Sequence, residues 1–379
     1  MDFSLTKEQQ RLKNEIIKFS REHLNKTECM DNFSFYMWNN ISQLGIHGIM
    51  IPEEYGGMNE SYTTAAVAIE ALGYGCKNNG FVFAVNNHIW VGQNIINMFG
   101  SNVLKDKYIP DMVAGKRIGA IAITEADAGS DAFGMSTSVV ETDDCYIMNG
   151  NKMFISNGNI ANIFVVFGRI VVNKTIQIAA FVVEKEFAGV TCSKEFEKMG
   201  LDSCPMCEVS FCDVKIPKEN VLGNIGNGKL IMMTALELER CYEFACHVGA
   251  MQRVMEKCIK YAKERKQFNM PISKFQAVTH KIADMRVKIE MARLLLYKIA
   301  WLKDNKKSAF LETSMFKLYV SESYISVCKD AMQIFGAYGY MKEYELEREM
   351  RDALACCVYS GTNDMQRNTI YDLSSTLWN

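Results

Sequence analysis

Residues 359–367 read Tyr359-Ser360-Gly361-Thr362-Asn363-Asp364-Met365-Gln366-Arg367, a run of small and polar residues inside the helical C-terminal part of the sequence. Two comparable segments occur earlier in the chain. They read Ile123-Thr124-Glu125-Ala126-Asp127-Ala128-Gly129-Ser130-Asp131 and Phe154-Ile155-Ser156-Asn157. Small residues let backbone N–H groups approach a ligand, and hydroxyl groups add hydrogen-bond donors. Each segment taken alone is also consistent with an ordinary surface turn.

The composition is that of a large globular protein. The 379 residues are 49% hydrophobic and 23% charged, so the chain can bury a large core, and this length predicts two or three sub-domains. A formal net charge of −2 leaves no basic surplus for nucleic acid or anionic lipid. The first residues lack the apolar core of a signal peptide, and the apolar stretch around residues 163–172 is too short to span a membrane. We therefore expect a cytoplasmic protein that binds neither nucleic acid nor membrane.

The cysteine pattern does not predict a metal site. An odd number of cysteines, 13, is expected to consist of reduced thiols that pack like small hydrophobic side chains. Cys204 and Cys207 form a CxxC pair, but no second pair completes a tetrahedral zinc site. We also expect the adjacent Cys356 and Cys357 to belong to the core and to have no redox role.

Proline positions and apolar patterns divide the chain into three parts. Proline is excluded from helix interiors, and none of the prolines follows Pro271. Beyond Pro271, apolar residues at steps of four and three predict one buried stripe of a long helix. The stripe consists of Val278, Ile282, Met285, Ile289, Ala292, Leu296 and Ile299. Upstream, short β-branched segments alternate with Asn, Gly and Asp turns, which predicts strands. We predict a helical domain at 1–118, a β domain at 119–228 and a helical bundle at 229–379.

The common nucleotide-binding and hydrolase signatures are absent from the sequence, so a cofactor must be held in another way. The three segments above occur together with Glu239-Arg240, Arg265-Lys266-Gln267-Phe268 and Gln333-Ile334-Phe335-Gly336. In this order and spacing they resemble the acyl-CoA dehydrogenase family over essentially the whole chain. The first segment is similar to its YEGTSEIQR-like signature, the second to its TEPGAGSD-like motif, and the third to its Trp-Ile-Ser/Thr motif.

The resemblance implies an α+β fold with an N-terminal helical domain, a middle β-barrel or sandwich domain and a C-terminal four-helix bundle. It also implies a homotetramer in which each subunit holds one FAD between the β domain and the bundle. The flavin ring is then expected to contact Ile123, Thr124, Phe154, Ile155, Ser156 and Thr362. A neighbouring subunit's FAD pyrophosphate is expected to contact Arg265, Gln267, Phe268, Gln333 and Gly336. The remaining expected cofactor-binding residues are Gly129, Ser130, Gln276 and Asp364.

Four positions depart from the family pattern. Phe154 replaces the usual Trp, Ala126 the usual Pro, Ala337 the usual second Gly after Gln-Ile-Phe, and Asn269 the usual Gly. Phenylalanine can still stack on a flavin, and alanine still permits a close approach of the backbone. The asparagine has no explanation in the sequence.

The chemistry implied by the resemblance requires a base. Removing a proton from the α-carbon of a thioester needs a carboxylate in a dry site, where desolvation raises its basicity. Many family members carry this base as the Glu of the EGT motif, where this chain has Ser360. A second subgroup, which includes the isovaleryl type, carries it on a C-terminal helix just before a substrate-binding arginine.

This chain has Glu239-Arg240 at the second location, so the resemblance implies that Glu239 is the base. The expected substrate-binding residues are Ser130, Arg240, Ser360 and Gly361. The alternative is that Glu239 is one of several acids on a solvated helix face, with Glu243 as its neighbour. Two glutamates at that spacing repel each other and do not stabilise a helix.

Finer resemblance indicates a branch that acts on acyl groups attached to carrier proteins, particularly prolyl-carrier-protein oxidases of biosynthetic pathways. It is carried by Asp202-Ser203-Cys204-Pro205 with Glu208-Val209, Phe81-Val82-Phe83-Ala84 with His88, Phe275-Gln276-Ala277-Val278 with His280, and Ser360-Gly361-Thr362 with Asp364-Met365-Gln366. Asp202, however, replaces an arginine of that branch. The sequence therefore favours an acyl or prolyl-like group on a carrier protein.

Other functions stay open at this point. A short-chain or branched-chain acyl-CoA dehydrogenase, including a carnitine-pathway-like type, shares the Asp202-Ser203-Cys204 segment. A flavin monooxygenase on the same fold has no need of Glu239 beside Arg240, and a nitroalkane oxidase would favour an Asp as the base. A helical scaffold without activity would not need the three flavin segments. The expected electron acceptor is an electron-transfer flavoprotein or oxygen.

Overall fold

The N-terminal part of the chain is helical. The structure is a computed structural model that describes residues 4–25 and 30–376. The helices of this part are α1 (Lys7–His23), α2 (Phe35–Gln43), α3 (Tyr62–Gly75), α4 (Asn79–Asn86), α5 (Asn94–Phe99) and α6 (Asn102–Val113). A side-chain oxygen accepts a hydrogen bond from the first turn in five of them, at Thr6, Ser34, Ser61, Asn78 and Ser101. These caps satisfy backbone donors that a helix start leaves free.

A π-helical segment, Asn87–Gln93, joins α4 to α5 and connects the helices to the rest of the molecule. His88 Nδ1 accepts a hydrogen bond of 2.9 Å from the backbone N–H of Gly119, the first residue of the sheet. The Trp90 ring stacks on Tyr242 with ring centroids 4.3 Å apart. The segment therefore lies between the sheet and the C-terminal helices.

An eight-stranded sheet follows. Its strands are β1 (Gly119–Ala122), β2 (Ser138–Glu141), β3 (Cys145–Ser156), β4 (Ile163–Val172), β5 (Thr175–Glu184), β6 (Val190–Cys192), β7 (Met206–Pro217) and β8 (Val221–Leu222). The strand order is β6-β7-β3-β2-β4-β5-β8, with β1 paired to β4. The β1–β4 and β2–β4 pairs are parallel and the others antiparallel. The predicted strand region is thus a mixed sheet.

The C-terminal part is a set of long helices. They are α7 (Gly228–Leu238), α8 (Phe244–Glu264), α9 (Gln276–Asp304), α10 (Phe310–Phe335), α11 (Leu346–Ala355) and α12 (Asn363–Thr376). A hairpin of β9 (Lys266–Gln267) and β10 (Met270–Pro271) separates α8 from α9. The predicted stripe is confirmed, since α9 buries Met285, Ile289, Ala292, Leu296 and Ile299. Val278 and Ile282 are half-buried and pack against the same core.

The two helical parts pack closely where α3 meets α8. A Cβ added at Gly73 would collide with the carbonyl of Cys246, and one at Gly249 would collide with the carbonyl of Glu70. Glycine at both positions therefore lets the two helix backbones touch. Helices and sheet together confirm the predicted α+β fold class, while the domain boundaries at residues 118 and 228 stay a prediction.

The described residues contain neither a membrane-spanning helix nor a cluster of metal ligands. Within the described ranges, no helix is both long enough and apolar enough to cross a membrane. No group of three or more His, Cys, Asp or Glu side chains in residues 4–25 and 30–376 is placed to hold a metal ion. The cysteines of these ranges are free thiols, with Cys356 buried and Cys357 half-buried, while Cys29 lies outside the described residues.

Candidate active site

Glu239 lies at a break in a long helix. α7 ends at Leu238, residues Glu239–Glu243 form a π-helical turn, and α8 begins at Phe244. Single π-helical turns inside α-helices are frequent at functional sites. The Glu239 residue is only 9% exposed. Glu239 therefore does not lie on a solvated helix face.

Arg240 ties this π-helical turn to the loop that contains Ser360. Its Nε donates a hydrogen bond of 3.0 Å to the carbonyl oxygen of Ser360. Gly361 has a φ of +83°, and a Cβ there would lie 3.2 Å from Arg240 Nη2, so glycine fits this position best. Gln366 Nε2 donates to the carbonyl oxygens of Ser360 and Gly361 at 3.3 and 3.1 Å. The structure thus brings Glu239, Arg240, Ser360 and Gly361 together, as the sequence predicted for the base and three of its substrate-binding neighbours.

The surroundings of Glu239 favour a basic carboxylate. Burial raises the pKa of Glu239, while the hydroxyl of Ser360, the carboxyl of Glu243 and the charges of Arg240 and Lys317 oppose that rise. Ser360 and Glu243 act on Glu239 as hydrogen-bond partners, which favours the charged form of its carboxyl group. A carboxylate with a raised pKa takes up a proton more readily than an exposed one.

A second carboxyl group, Glu243, lies within the same π-helical turn and is 1% exposed. Burial raises its pKa well above the ordinary value, and the charge of Glu239 raises it further. Two neighbouring buried carboxyl groups resist ionising together. Because the cations Arg240 and Lys317 act on Glu239, we assign the proton of the pair to Glu243 and the negative charge to Glu239.

Lys317 on α10 is a buried residue of this region that the sequence analysis did not identify. Its Nζ donates a hydrogen bond of 2.8 Å to Asn363 Oδ1, which also accepts a bond of 3.0 Å from Ser321 Oγ. Burial lowers the pKa of Lys317 to about 8. The ammonium group fixes the start of α12 and thereby the loop before it. Its sequence signal is a lysine between the apolar positions Phe316 and Val320 of a helix.

The loop 123–131 is fixed by a buried ion pair that the sequence analysis also missed. Lys152 Nζ donates to Glu125 Oε1 at 2.8 Å and to the carbonyl oxygen of Ile123 at 3.0 Å. Burial by itself would raise the pKa of Glu125, but hydrogen bonds from Lys152, Ser136 and Thr137 outweigh it and lower the pKa to about 2. Glu125 therefore stays ionised and anchors the loop.

The segment 154–156 lies next to that loop. The backbone N–H of Met153 donates to the carbonyl oxygen of Thr124 at 2.8 Å, so the two predicted flavin segments are adjacent. The β3–β7 register shifts between Lys152 and Ile155, and Phe154 there has a φ of +59°. This local backbone turns the Phe154 side chain outward, leaving the residue 58% exposed at the surface.

The segment that follows the loop contacts α7, the helix that leads to Glu239. Phe133 lies two residues beyond the loop, and Lys229 Nζ on α7 lies 5.1 Å from the centre of its ring. Gly129 is open, since a Cβ there would meet no atom within 4 Å. Ser130 is exposed, and Asp364 on α12 is exposed and paired with Arg367 at 3.1 Å.

A third group of predicted residues lies at the far end of the bundle. The 21 residues of α8 span about 30 Å between the π-helical turn that contains Glu239 and Arg265. Aromatic rings contact one another in this region. The ring centroids of Tyr261 and Phe335 are 3.9 Å apart, and those of Phe268 and Phe275 are 5.9 Å apart. Within one subunit these residues do not reach the Glu239 region. The role of Arg265, Gln267, Phe268, Gln333 and Gly336 towards a neighbouring subunit's cofactor stays a prediction, as does the expected cofactor contact of Gln276.

Family profiles match the chain in three consecutive pieces. The acyl-CoA dehydrogenase N-terminal domain matches residues 6–116, the middle domain matches 120–214, and the C-terminal domain matches 226–373. The chain belongs to the acyl-CoA dehydrogenase family. Members of this family are FAD-dependent oxidoreductases that act on CH–CH bonds, so the predicted enzyme class and cofactor are confirmed.

Individual relatives align with this chain over nearly its whole length. An acyl-CoA dehydrogenase of Bacillus subtilis (strain 168) is 35% identical over 368 residues, which are 96% of this chain and 97% of that protein. The crystal structure of the prolyl acyl carrier protein oxidase AnaB has a TM-score of 0.95 at 37% identity and covers 98% of this chain and 99% of its own. The FAD complex of PigA has a TM-score of 0.95 at 31% identity, covering 99% of each chain.

The residues of the two predicted flavin segments fit the FAD cofactor of this family. The exposed Phe154 ring offers an apolar face to a flat ring system, and the open space at Gly129 lets a ligand approach the backbone. Thr124, Ser130 and Ser156 supply hydroxyl donors beside them. These residues would hold the flavin, while Lys152 and Glu125 keep the segments in place.

Proposed function

We propose that this enzyme dehydrogenates an acyl thioester between Cα and Cβ, with Glu239 as the base that removes the α-proton. The observation that supports the proposal is that Glu239 is buried, next to Arg240 and to the loop that contains Ser360. At position 360 this chain has a serine in place of the glutamate of the EGT motif. FAD, when bound, accepts the hydride from Cβ. The buried surroundings raise the pKa of Glu239 and so increase its basicity.

The residues next to Glu239 position the loop and bind the substrate. Arg240 holds the Ser360 carbonyl oxygen and so sets the distance between the loop and the base. The buried Ser360 hydroxyl lies beside the Glu239 carboxyl, where it can donate to a substrate. We propose Ser130, Arg240, Ser360 and Gly361 as the residues around the thioester. Arg240 acts mainly as a positioning residue, because its Nε already donates a hydrogen bond to the Ser360 carbonyl oxygen.

We further propose that the acyl group, of a prolyl-like kind, is carried by a carrier protein in a biosynthetic pathway. The likeness to the prolyl acyl carrier protein oxidase AnaB supports this. The departure at Asp202 has a local explanation, because its carboxylate pairs with Arg351 on α11 at 3.1 Å. The next residue, Ser203, donates to Asn78 Oδ1 at the start of α4. The segment 202–203 therefore anchors α11 and α4. The replacement of arginine by Asp202 is explained by this packing and does not argue against a carrier-bound substrate.

The second candidate is a short-chain or branched-chain acyl-CoA dehydrogenase, which the Bacillus subtilis relative favours. The two are separated by offering the same prolyl group on a phosphopantetheinylated carrier protein and on CoA, without NAD(P)H, and following the loss of flavin absorbance anaerobically. Binding energy from the carrier surface should make the carrier-bound substrate far more efficient. Comparable kcat/KM values would remove the carrier-protein proposal and leave the acyl-CoA one. Flavin that needs NAD(P)H to bleach would instead indicate a monooxygenase.

We also propose a homotetramer, because the aromatic cluster at the far end of the bundle offers an exposed surface to another subunit. Phe268 is 85% exposed and carries a φ of +51°, an arrangement with little stabilising contact inside one subunit. Light scattering on the FAD-loaded protein tests the assembly. A monomer at micromolar concentration that keeps its flavin would contradict it.

The electron acceptor is a separate question. Oxygen uptake during turnover would identify oxygen as the acceptor, and its absence would favour an electron-transfer flavoprotein.

A further inference from the structure

Two cysteines of neighbouring strands lie together beside the flavin segment 154–156. Cys192 is the last residue of β6, and Cys207 lies near the start of β7. These strands are antiparallel neighbours, with Cys192 opposite Val209. Side chains alternate between the two faces of a strand, so Cys207 and Val209 lie on the same face of β7, and Cys192 lies on that face with them. The register therefore places the two thiols diagonally across from each other.

Both sulfur atoms contact the same residue, Gly158. Cys192 Sγ donates a hydrogen bond of 3.4 Å to the carbonyl oxygen of Gly158. A Cβ on Gly158 would lie 2.5 Å from Cys207 Sγ, so the glycine backbone packs directly against that sulfur. The two thiols also share a hydrogen bond with each other. One sulfur atom is therefore within reach of the other.

The two thiols differ in exposure and in acidity. Cys192 is half-buried at the end of its strand, whereas Cys207 is fully buried. The hydrogen bond from Cys207 and the charge of Lys185 lower the pKa of Cys192 to about 7, against the opposing effect of its partial burial. The same hydrogen bond and burial raise the pKa of Cys207. Cys192 is therefore the thiolate that a reagent in solution can reach, and Cys207 is a protonated thiol held behind it.

This pairing differs from the one that the sequence suggests. Cys207 forms a CxxC with Cys204, but the Cys204 thiol contacts Asn157 Oδ1 at 3.7 Å. Burial raises the pKa of Cys204 to about 12, which makes it a poor nucleophile at neutral pH. Only the pairing of β6 with β7 brings Cys192 to Cys207.

We propose that Cys192 and Cys207 are a peroxide-sensitive thiol pair that closes to a disulfide beside the flavin segment. The Cys192 thiolate attacks one oxygen of hydrogen peroxide, so that an S–O bond forms and the O–O bond breaks. This step leaves a sulfenic acid on Cys192 and releases hydroxide, which takes up a proton to become water. The Cys207 sulfur then attacks the Cys192 sulfur, the S–O bond breaks, and the hydroxyl group leaves as a second water with the Cys207 proton. The two thiols lose two electrons in total, and the peroxide gains them.

The disulfide acts on the turn 157–160, which directly follows the flavin segment. Oxidation removes the proton that Cys192 donates to the Gly158 carbonyl oxygen, so the turn loses this bond to β6. Cys207 lies opposite Ile155 in the β3–β7 register, which puts the new bond directly beside the flavin segment. We expect the FAD affinity of the oxidised protein to fall about two- to tenfold, the range that the loss of one hydrogen bond gives.

The experiment treats the reduced, FAD-loaded enzyme with hydrogen peroxide at pH 7, alkylates the remaining thiols and identifies the products by peptide mass spectrometry. A disulfide between Cys192 and Cys207 should form at least about tenfold faster than any oxidation of Cys212, an exposed cysteine of β7, because the thiolate is the reactive form. Dithiothreitol should reverse it. In Cys207→Ala, sulfenic acid should accumulate at Cys192 and be trapped by dimedone. Cys212→Ser is the matched control and should form the disulfide at the wild-type rate.

The effect on the cofactor is measured by fluorescence, as the FAD released when oxidised and reduced holoenzyme are diluted. Cys192→Ser should bind FAD equally well before and after peroxide treatment. Oxidation of Cys212 as fast as that of Cys192, or a Cys207→Ala enzyme without trapped sulfenic acid at Cys192, would overturn the thiol pair. An unchanged FAD affinity in the disulfide form would overturn its link to the cofactor. These measurements use no thioester, so their outcome is independent of the proposed dehydrogenation.

Discussion

Arg240 and Ser360 are joined by a hydrogen bond of 3.0 Å from the guanidinium Nε to the backbone carbonyl oxygen. The bond connects the π-helical turn that carries Glu239 to the loop in which other family members place their base. A carboxylate at position 239 and one at position 360 would therefore approach the same space from two elements. Ser360 already has a φ of +56°, so the loop tolerates a side chain in this conformation.

Replacing Glu239 by glutamine should abolish most of the activity without loss of the cofactor. The amide keeps the shape of the side chain but cannot accept the α-proton. We expect flavin reduction by substrate to fall by about 100-fold or more, the usual scale for the loss of a general base. Glu237→Gln is the matched control, because Glu237 lies on the same helix and pairs with Lys303 at 2.9 Å. Near wild-type reduction in Glu239→Gln would show that the proton leaves by another route.

Adding a carboxylate at position 360 should restore part of that activity. In the Glu239→Gln background, Ser360→Glu places a new base on the loop that Arg240 of the π-helical turn and Gln366 of α12 hold in place. We expect flavin reduction to rise about tenfold or more above the single variant. Ser360→Gln in the same background is the control for side-chain size. Equal rates in the glutamate and glutamine variants would show that the loop does not face the α-carbon.

Much of the fold follows from local patterns in the sequence. The stripe from Val278 to Ile299 repeats at helical spacing, and the structure places it on the buried side of α9. Strand segments between residues 119 and 222 are separated by turn residues, which is why the sheet region was predictable. Family motifs led to Glu239, Arg240 and the Ser360 loop, which the structure brings together.

Features that depend on distant partners could not be predicted. Lys152 and Glu125 are 27 positions apart, and Lys317 and Asn363 are 46 apart, so nothing local marks either pair. The π-helical turn at 239–243 has no sequence signature, because it depends on how α7 and α8 pack. Glu243 could be recognised as a repulsive neighbour of Glu239, but its burial follows from the elements packed around it.

Breaking the buried ion pair of Lys152 and Glu125 should destabilise the enzyme and loosen the flavin loop. Lys152→Met leaves a buried carboxylate without a cation, which typically costs about 3–5 kcal/mol of unfolding free energy. It also removes the bond to the Ile123 carbonyl, so we expect FAD content to fall as well. The double variant Lys152→Met/Glu125→Gln should recover part of the lost Tm. A Tm that falls further in the double variant would contradict this account.

The same pair predicts a pH dependence. The pKa of Glu125 is about 2 in the folded protein, below its ordinary value of 4.5. The contribution of the pair is therefore complete above about pH 4.5 and is lost as the pH falls towards 2. The Tm values of the wild type and Lys152→Met should converge in acid. A constant difference across this range would show that packing, and not charge, explains the loss.

Gly129→Ala should separate cofactor binding from stability. The added methyl group meets no atom within 4 Å, and the backbone is outside the left-handed region, so the FAD-free protein should keep its Tm within about 1 °C. If the flavin approaches this backbone, the methyl group will obstruct it, and FAD affinity should fall by about tenfold or more. Fluorescence titration of the FAD-free protein with FAD measures the affinity. Unchanged affinity would remove Gly129 from the cofactor site.

Removing the buried carboxyl of Glu243 should stabilise the folded enzyme, and more so at neutral pH than in acid. Burial and the charge of Glu239 raise the pKa of Glu243 above the ordinary 4.5. Below about pH 4.5 the group is protonated in both the folded and the unfolded chain and has no linked cost. As the pH rises above this value, the unfolded chain ionises Glu243 while the folded chain keeps the proton, so stability falls. Glu243→Gln cannot ionise in either state and avoids that loss. We therefore expect its Tm in thermal unfolding without substrate to exceed that of the wild type near pH 7 and to approach it near pH 4.5. Glu256→Gln is the control and should show no such trend, because Glu256 is an exposed residue of α8. A Glu243→Gln enzyme that is less stable than the wild type at neutral pH would show that the hydrogen bond between the Glu243 and Glu239 carboxyl groups stabilises the folded chain by more than the burial of Glu243 costs.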